Sequence, residues 1–414
     1  MRSPEFSRRG ILVGGAVAGI ASALPRTALA QTPQAPPPPI GREERLSRLS
    51  RAQERLRALG YGALVVEPGA SLDYLTGVQW HRSERLTAAV IPASGAPVIV
   101  TPFFERPSVA ESLQVPAEIR VWQEHEDPFR LVADFLSERG IAKAPIALEE
   151  TVRYFAADGL RRNLPRVQLV SGNPVVRPLR MIKSPAELAL MQFAADITVQ
   201  ALRKTHDEVR AGMSNVEIGE RFERNVAALG GSDTWSLVLI DDAAALPHGT
   251  GRPQEVKRGS IVLMDCGCAV HGYQSDISRT FVWGAKPTFE QRRVWEQVRR
   301  GQDIAMSAAK PGVAAGSVDD AVRRTYERWG HGPGYKLPGL SHRTGHGIGM
   351  EGHEPVNLVH GETTRLAPGM CFSNEPGIYL PGKFGVRLED CFHMTEAGPK
   401  WFTVPPPSID RPFD

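Results

Sequence analysis

Carboxylate and imidazole side chains recur in short strand-like runs of the second half of the sequence. Asp265 ends an apolar run, Asp276 follows eleven residues later, and His346 stands between two glycines. Glu375 and Glu389 belong to two later runs. Singly, each residue has an ordinary structural role as a turn cap, a loop residue or part of a solvated face. Together, four converging carboxylates would repel one another unless divalent cations neutralised them.

This set of side chains restricts the kind of metal that would fit. Four oxygen donors and one imidazole suit manganese, cobalt or zinc and do not suit copper. Two such ions about 3.5–4 Å apart can activate a water molecule and hold a substrate oxygen. The residue types therefore predict a two-metal site, provided that the five side chains converge.

Length and composition exclude several classes of protein. The chain has 414 residues, 42% hydrophobic and 23% charged, which is enough for two globular cores. The formal net charge is +3, and residues 1–30 contain four arginines against one glutamate, so the rest of the chain is nearly neutral. A nearly neutral chain gives no reason to expect nucleic acid as a partner. Four cysteines in this length exclude a fold built on disulfides.

The N-terminus has the pattern of an export signal. Residues 7–12 read Ser-Arg-Arg-Gly-Ile-Leu, an apolar stretch follows, and residues 28–30 form a small-residue cleavage site. The paired arginines resemble a twin-arginine signal peptide over residues 1–30, with a Sec signal or an anchor as alternatives. Residues 31–41 form a Pro-rich spacer. We therefore expect a periplasmic or exported bacterial protein with no membrane span in the mature chain.

Secondary-structure signals divide the remaining chain in two. The first part predicts an α/β domain over residues 42–176, because helical and strand-like segments alternate. The predicted helices cover 42–59 and 127–138, and the predicted strands cover 63–66, 88–92, 97–100 and 145–148. Around residues 172–180, Gly172, Pro174 and Pro178 interrupt the pattern and predict a domain boundary.

The second part, residues 177–414, predicts an α+β domain with helices packed on an antiparallel sheet. Capping-box signatures at Ser184, Ser214 and Thr288 begin three helices, and a fourth is predicted over 317–329. The predicted strands cover 261–265, 278–282, 370–373 and 386–394. The acidic residues of the candidate site lie on or beside these strands.

The site motifs, together with Leu72–Gly77 and Met181–Ser184, resemble the creatinase/aminopeptidase P/prolidase superfamily of metallopeptidases. The resemblance implies a pita-bread catalytic domain, an antiparallel sheet covered by helices, preceded by a creatinase-like α/β N-terminal domain. It implies two divalent metal ions, expected to be manganese with cobalt or zinc as alternatives. It also implies short proline-containing peptides as substrates and a homodimer or homotetramer.

The resemblance assigns a metal role to each of the five residues. Asp276 and Glu389 match the residues that bridge both ions. Asp265 matches a ligand of one ion, and His346 and Glu375 match ligands of the other. The implied reaction is hydrolysis of the Xaa-Pro bond at the N-terminus of short peptides, with a metal-bridging hydroxide as nucleophile.

Further roles follow from the same resemblance. His248 matches a residue that contacts the substrate near the scissile carbonyl, and His353 matches one that stabilises the tetrahedral intermediate. Glu375 is the candidate for carrying a proton to the leaving nitrogen. The positions that face the substrate or support the ligands are His342, Tyr379 and Arg387, of which His342 and Tyr379 could equally serve in packing.

Several alternatives remain at this stage. Relatives that act on creatine lack the metal ligands, and methionine aminopeptidases usually lack so extensive an N-terminal domain. A hydrolase or lyase of a non-peptide small molecule could use the same metal site, and a non-catalytic peptide-binding module could use the same fold. The sequence does not separate dipeptide cleavage from the trimming of longer peptides. We expect the four cysteines to pack in the core, and pairing of Cys371 with Cys391 stays open.

Overall fold

The computed structural model describes residues 35–413 of the chain. The predicted signal peptide over 1–30, and the predicted spacer as far as residue 34, lie outside the described residues. Within the described range, no helix is both long enough and apolar enough to cross a bilayer.

A six-stranded mixed sheet forms the centre of the N-terminal half. Its strands are β1 (Ala63–Val66), β2 (Ala88–Pro92), β3 (Val98–Pro102), β4 (Glu118–Trp122), β5 (Ile146–Leu148) and β6 (Leu169–Ser171), in the order β4-β3-β2-β1-β5-β6. Strand β2 runs antiparallel to β1 and β3, and the other pairs are parallel. Strands β1, β2 and β3 are buried along their whole length, which explains their continuous apolar sequences.

Among the described residues, six α-helices cover this sheet and lead out of it. They are α1 (Arg42–Leu59), α2 (Ala70–Thr76), α3 (Arg106–Ser112), α4 (Pro128–Glu138), α5 (Tyr154–Asn163) and α6 (Asn173–Met181). The predicted break in the helical and strand pattern around residues 172–180 is wrong, because α6 is helical through Pro178. The domain boundary there stays a prediction. Pro178 has no N–H to donate to the Pro174 carbonyl. Arg55 Nε donates to that carbonyl instead, at 2.8 Å, so α6 tolerates the proline.

The C-terminal half begins with helices whose starts follow the predicted signals. These helices are α7 (Pro185–Glu208), α8 (Asn215–Ala228), α9 (Phe289–Ala308) and α10 (Gly316–Arg328). The three predicted capping boxes at Ser184, Ser214 and Thr288 are all present. Each cap satisfies amide groups at the helix start that would otherwise lack partners, and such caps typically contribute about 1 kcal/mol.

All described strands of the C-terminal half pair antiparallel. One sheet has the order β10-β8-β7, with β9 beside β8; its strands are β7 (Ser232–Ile240), β8 (Ile261–Val270), β9 (Tyr273–Gln274) and β10 (Ile277–Val282). A second has the order β12-β11-β13-β16-β17, formed by β11 (Gly345–Gly347), β12 (Glu354–Leu358), β13 (Cys371–Asn374), β16 (Asp390–Thr395) and β17 (Gly398–Trp401). A separate hairpin joins β14 (Gly377–Leu380) to β15 (Phe384–Arg387).

The prediction of one strand over 386–394 is wrong in a way that matters for the site. Strand β15 ends at Arg387 and β16 begins at Asp390, because the chain leaves the hairpin there and joins the five-stranded sheet. Between them, the Glu389 backbone pairs with Ser278 of β10, with N···O distances of 3.1 and 3.2 Å. Glu389 therefore lies where three groups of strands meet.

One buried apolar cluster joins the two halves. It includes Leu49 of α1, Leu179 of α6, Leu190 of α7 and Met264 of β8. A second cluster packs α9 and α10 against the five-stranded sheet and the β14–β15 hairpin, and it includes Trp295, Tyr326 and Phe372. The strands that carry the candidate site are therefore held by apolar packing from both clusters.

Candidate active site

Three carboxylates gather around Ser278. The register of β8 and β10 places Asp265 opposite Ser278. The Ser278 hydroxyl lies 2.8 Å from Asp265 Oδ1 and 2.9 Å from Glu389 Oε2. Asp276 lies in the short link between β9 and β10, and it is buried. Carboxylates that are far apart in the sequence thus become neighbours because their strands meet.

The glycines around His346 permit close approach of the neighbouring strands. A Cβ atom on Gly345 would lie 2.1 Å from the Ser373 carbonyl oxygen, and one on Gly347 would lie 2.5 Å from the Glu354 carbonyl oxygen. Any other residue at either position would push the strands apart. The Gly-His-Gly sequence therefore lets the neighbouring strands pack closely against the backbone on both sides of His346.

His346 presents one ring nitrogen to three carboxylates. Its Nδ1 lies 3.1 Å from the Gly347 carbonyl oxygen, so Nδ1 carries the proton and Nε2 presents a lone pair. Nε2 lies 3.4 Å from Glu375 Oε1, 3.7 Å from Asp276 Oδ2 and 3.9 Å from Glu389 Oε1. A lone pair facing carboxylate oxygens is unfavourable without a cation between them. This arrangement fits a metal ion.

The donor atoms fall into overlapping groups. Asp265, Asp276 and Glu389 can place one ligand atom each within 4.8 Å of one another, as can His346, Glu375 and Glu389. A third group joins Asp276 to His346 and His353, so Asp276 and Glu389 each belong to two of the three groups. Asp276 Oδ1 and Glu389 Oε1 are buried and have no hydrogen-bond partner among the described residues. Two carboxylate oxygens without partners, at the point where the groups overlap, fit a pair of cations that share ligands.

Burial and mutual repulsion perturb the titration of these groups. Burial, followed by the charges of Asp265 and Glu375, raises the pKa of Asp276 well above its usual value. Burial, followed by the charge of Asp276, does the same to the pKa of Glu389. Burial also raises the pKa of Glu375 to about 7 and lowers the pKa of His346 well below its usual value. Without cations, this site favours protonated carboxyl groups.

Arg387 is the buried cation beside these carboxylates. It forms an ion pair with Asp265, and its Nε donates to the Ser278 hydroxyl at 3.1 Å. Its Nη1 donates to the Pro247 carbonyl at 3.1 Å and to the Tyr379 hydroxyl at 3.2 Å. Burial opposes its charge, but the carboxylates, Asp265 foremost, raise the pKa of Arg387 well above its ordinary value. Arg387 thus links the metal side of the site to the loop before His248.

The remaining predicted residues lie around the same centre. His342 Nε2 lies 2.7 Å from the Tyr379 hydroxyl, and its Nδ1 lies 2.7 Å from the Arg343 carbonyl oxygen. Burial and the charge of Arg387 lower the pKa of His342 to about 3, so this imidazole is neutral. The His353 ring lies edge-on to the His346 ring, 4.1 Å between centroids.

Two of the predicted histidines face solvent. His353 and His248 are both exposed, and neither side chain has a hydrogen-bond partner in the part of the chain that the structure describes. Burial, followed by the charge of Arg343, lowers the pKa of His353. Both imidazole groups are therefore open to an incoming ligand, whereas Tyr379 is fully buried.

A further glutamate that the sequence does not single out holds the turn that carries His353. Glu354 Oε1 accepts from the backbone N–H groups of Met350 and Glu351, at 2.9 and 3.2 Å. Arg180 Nη2 donates to the same carboxylate at 2.6 Å, and Lys183 Nζ donates at 3.0 Å. Burial raises the pKa of Glu354, but the two cations outweigh burial and bring it to about 2.

This network reaches into the N-terminal half. Arg180 belongs to α6, and its Nη1 donates to Ser71 of α2 at 2.9 Å. The Ser71 hydroxyl in turn donates to Glu149 at 2.8 Å. Helix α6 is therefore coupled directly to the turn that presents His353.

A second buried carboxylate, Asp319 of α10, supports the segment before His346. It accepts from the Thr344 backbone and hydroxyl at 3.0 and 2.7 Å and pairs with Arg323 at 2.7 Å. Arg323 also donates to the backbone carbonyls of Leu340 and His342. In the sequence, Asp319 and Arg323 look the same as charged residues on the solvent-exposed face of an amphipathic helix. The available signal for this contact was Thr344, next to the Gly-His-Gly run.

The cysteines serve in packing, as predicted. All four are free and buried. In the β13–β16 register, Cys371 lies opposite His393, and Cys391 lies opposite Ser373. The two thiols are therefore not directly opposed across the sheet.

Comparisons with known proteins agree with this architecture. Residues 189–396 match the family model for metallopeptidase family M24, and residues 48–182 match the creatinase/prolidase N-terminal domain. These matches confirm the predicted fold class, a creatinase-like α/β domain followed by an α+β pita-bread domain.

Individual relatives match over most of their length. The chain is 31% identical over 356 residues to the putative dipeptidase YkvY of Bacillus subtilis strain 168, covering 85% of this chain and 96% of the relative. It is 31% identical over 362 residues to the Xaa-Pro dipeptidase of Lactobacillus helveticus, covering 86% and 96%. The crystal structure of dipeptidase PepE from Mycobacterium ulcerans superposes with a TM-score of 0.81 at 32% identity, covering 89% and 98%. The chain belongs to metallopeptidase family M24 and is a metal-dependent peptidase with a creatinase/prolidase-type N-terminal domain.

Proposed function

We propose that the protein hydrolyses the Xaa-Pro bond at the N-terminus of short peptides. The observation that carries this proposal is the convergence of five ligand-type side chains, two of which present buried carboxylate oxygens without partners among the described residues. The name of the Lactobacillus helveticus relative, Xaa-Pro dipeptidase, supports the choice of bond.

Two divalent cations, manganese in our proposal, would be held by Asp265, Asp276, His346, Glu375 and Glu389. Four carboxylates and the guanidinium of Arg387 leave three negative charges, which two divalent cations would offset. The oxygen-rich donor set favours manganese over softer metals. When bound, such a pair supplies a water nucleophile of lowered pKa and polarises the substrate carbonyl.

A proline nitrogen sets a particular requirement for the leaving group. In an Xaa-Pro bond this nitrogen has no N–H that the enzyme could bind, and, like any amide nitrogen, it must take up a proton as the C–N bond breaks. Glu375 is the proposed carrier, because one of its carboxylate oxygens lies 3.4 Å from His346 Nε2 and the other lies 3.9 Å from Nδ1 of His342, which we propose to face the substrate.

His353 and His248 are proposed to orient the substrate carbonyl. Both are exposed beside the carboxylate cluster, and the lowered pKa of His353 keeps that ring neutral, with one N–H to donate. A donor aimed at the carbonyl oxygen stabilises the negative charge that develops there during attack. Tyr379 lies between His342 and Arg387, hydrogen-bonded to both. Its burial supports a role in holding these two residues, with His342 and Arg387 closer to the peptide.

The proposed export and assembly rest on the sequence and on the family. We propose that residues 1–30 direct the folded protein through the twin-arginine pathway to the periplasm. We also propose a homodimer or homotetramer. Sedimentation of the purified protein, and the location of a tagged chain with Arg8 and Arg9 replaced by lysine, test these two points.

The activity is tested with matched peptides. The purified protein, stripped of metal and reloaded with Mn²⁺, is given Ala-Pro, Ala-Pro-Ala and Ala-Ala-Ala, with an Asp276→Ala variant as blank. We expect alanine to be released from the proline peptides only. A preference for Ala-Pro indicates a dipeptidase, and a preference for Ala-Pro-Ala indicates an aminopeptidase. Absence of release from either proline peptide, by protein that holds two metal ions, would contradict the proposal.

Metal binding is expected to release protons. Because the pKa values of Asp276, Glu389 and Glu375 are raised without metal, these groups hold protons that a cation must displace. The apparent affinity for Mn²⁺ should therefore fall as pH falls, by at least about tenfold between about pH 8 and pH 6. Calorimetric titration in buffers of different ionisation enthalpy counts the protons. An affinity that is independent of pH would show that the carboxylates are already ionised.

The turn that carries His353 gives a second prediction. Glu354→Gln is expected to lower kcat at least about tenfold with the metal content unchanged, because glutamine cannot balance Arg180 and Lys183 while holding the turn. Glu351→Gln is the matched control, since Glu351 also pairs with Arg180 but its side chain is 45% exposed. Its kcat should stay within about a factor of two. Equal losses in both variants would contradict a special role for Glu354.

A further inference from the structure

A cavity of about 510 Å³ borders strand β7 of the catalytic half. Helix α8 contributes one wall, through Asn215, Gly219, Glu220 and Glu223, and the loop 248–251 contributes another. None of the proposed metal ligands lines this cavity. It is therefore a space next to the candidate active site and distinct from the metal centre itself.

The cavity adjoins the candidate active site. His248, which we propose to contact the substrate, is one of its lining residues. Leu237, also in the lining, lies directly opposite Asp265 in the β7–β8 register. A Cβ atom on Gly249 would lie 2.9 Å from the Leu239 side chain, so the loop packs closely on this strand. A peptide that passes His248 would enter the cavity.

Strand β7 offers an open backbone edge along this path. It lies at the end of its sheet and pairs with β8 alone among the described strands. An extended peptide can add to such an edge through main-chain hydrogen bonds. Gln254 also lines the cavity; its Oε1 accepts from the Ile240 N–H at 2.8 Å, and its Nε2 is buried and has no acceptor among the described residues.

The charge of the lining is negative. Glu220 and Glu223 lie one helical turn apart on α8, both exposed, and neither forms a hydrogen bond or an ion pair within residues 35–413. No lysine or arginine lines the cavity. Two carboxylates without partners favour a cationic group over an anionic one.

We propose that this cavity binds the residues that follow proline in a peptide substrate, in extended form along β7, and favours lysine or arginine among them. The inference rests on the proposed function, because it takes the segment downstream of the Xaa-Pro bond as the occupant. Peptides longer than a tripeptide would then be the better substrates.

The test compares Ala-Pro with five-residue peptides that begin Ala-Pro and carry lysine, alanine or glutamate at the third, fourth or fifth position. At low salt, kcat/KM should be about tenfold higher for lysine than for glutamate at one or more positions. In a Glu220→Gln/Glu223→Gln double variant, this ratio should fall to about one. Hydrolysis of Ala-Pro should be unchanged. Glu296→Gln, an exposed glutamate on α9, is the control and should retain the preference.

Binding of the same peptides to metal-free protein gives a measurement that does not depend on hydrolysis. If Ala-Pro is cleaved but lysine and glutamate peptides are equal in kcat/KM, the inference is overturned and the proposed function stands. If no peptide is cleaved, the proposed function fails, and a lysine preference in binding that the double variant abolishes still supports the cavity. A shift in the oligomeric state of the double variant would identify the cavity as a subunit interface and overturn the inference.

Discussion

Replacing Asp276 by asparagine is expected to abolish peptide hydrolysis and, at the same time, to stabilise the metal-free protein. The loss of activity follows because Asp276 belongs to two of the groups that could hold a cation. We expect at least about a thousandfold loss, equivalent to about 4 kcal/mol of transition-state stabilisation. The gain in stability follows because asparagine removes one of several buried, mutually repelling carboxylates.

The sign of the pH dependence supports the same argument. Since the pKa of Asp276 is raised in the folded state, folded metal-free protein binds this proton more tightly than the unfolded chain does. The free energy of unfolding of the metal-free protein should therefore fall as pH rises through the raised pKa of Asp276. The fall should be smaller in the Asp276→Asn variant. Thermal unfolding with and without Mn²⁺ measures both effects. Asp242→Asn, at an exposed ion pair with Arg252, is the control and should change neither.

Replacing Arg387 by methionine is expected to damage stability and activity together. The change leaves the partly buried Asp265 without its cation and breaks contacts with Ser278, Pro247 and Tyr379. Removal of one partner of a buried ion pair typically costs about 3–5 kcal/mol. We expect a loss of this size in the free energy of unfolding and at least about a tenfold loss in kcat/KM. Arg387→Lys should retain only part of the stability and part of the kcat/KM, because an ammonium group cannot reproduce the guanidinium contacts.

Arg48→Met is the matched control for this prediction. Arg48 is also fully buried and pairs with Glu44 and Glu187, at 2.6 and 3.2 Å, away from the carboxylate cluster. Urea unfolding should show a comparable loss of stability in both variants. Metal affinity and kcat/KM of the folded protein should fall only when Arg387 is changed. Equal activity losses in both would mean that Arg387 acts through stability alone.

The sequence was sufficient for the parts of the fold that depend on local chemistry. The capping boxes at Ser184, Ser214 and Thr288 rest on side chains three residues apart, so the helix starts were predictable. The buried strands β1 and β2 were visible as continuous apolar runs. The five ligand-type residues stood out by type, although their convergence depends on strand pairings that no local pattern specifies.

Other features depend on contacts distant in sequence and could not be predicted locally. Helix α6 continues through Pro178, and Arg55, more than a hundred residues away, donates to the carbonyl that the proline leaves without an N–H partner. Glu389 leaves its strand because its backbone pairs with Ser278. In the sequence, Glu354 looks like an exposed surface glutamate. Its role depends on Arg180 of α6, which lies more than a hundred residues away in the chain.

The measurement that tests the central claim most directly is a titration of metal-free protein with Mn²⁺ while alanine release from Ala-Pro-Ala is followed. The account predicts that hydrolysis appears with added metal and reaches its plateau at about two equivalents per chain. It predicts no hydrolysis by Asp276→Asn at any metal concentration. Full activity at one equivalent, or unchanged activity in the variant, would contradict a centre in which Asp276 and Glu389 are shared by two ions.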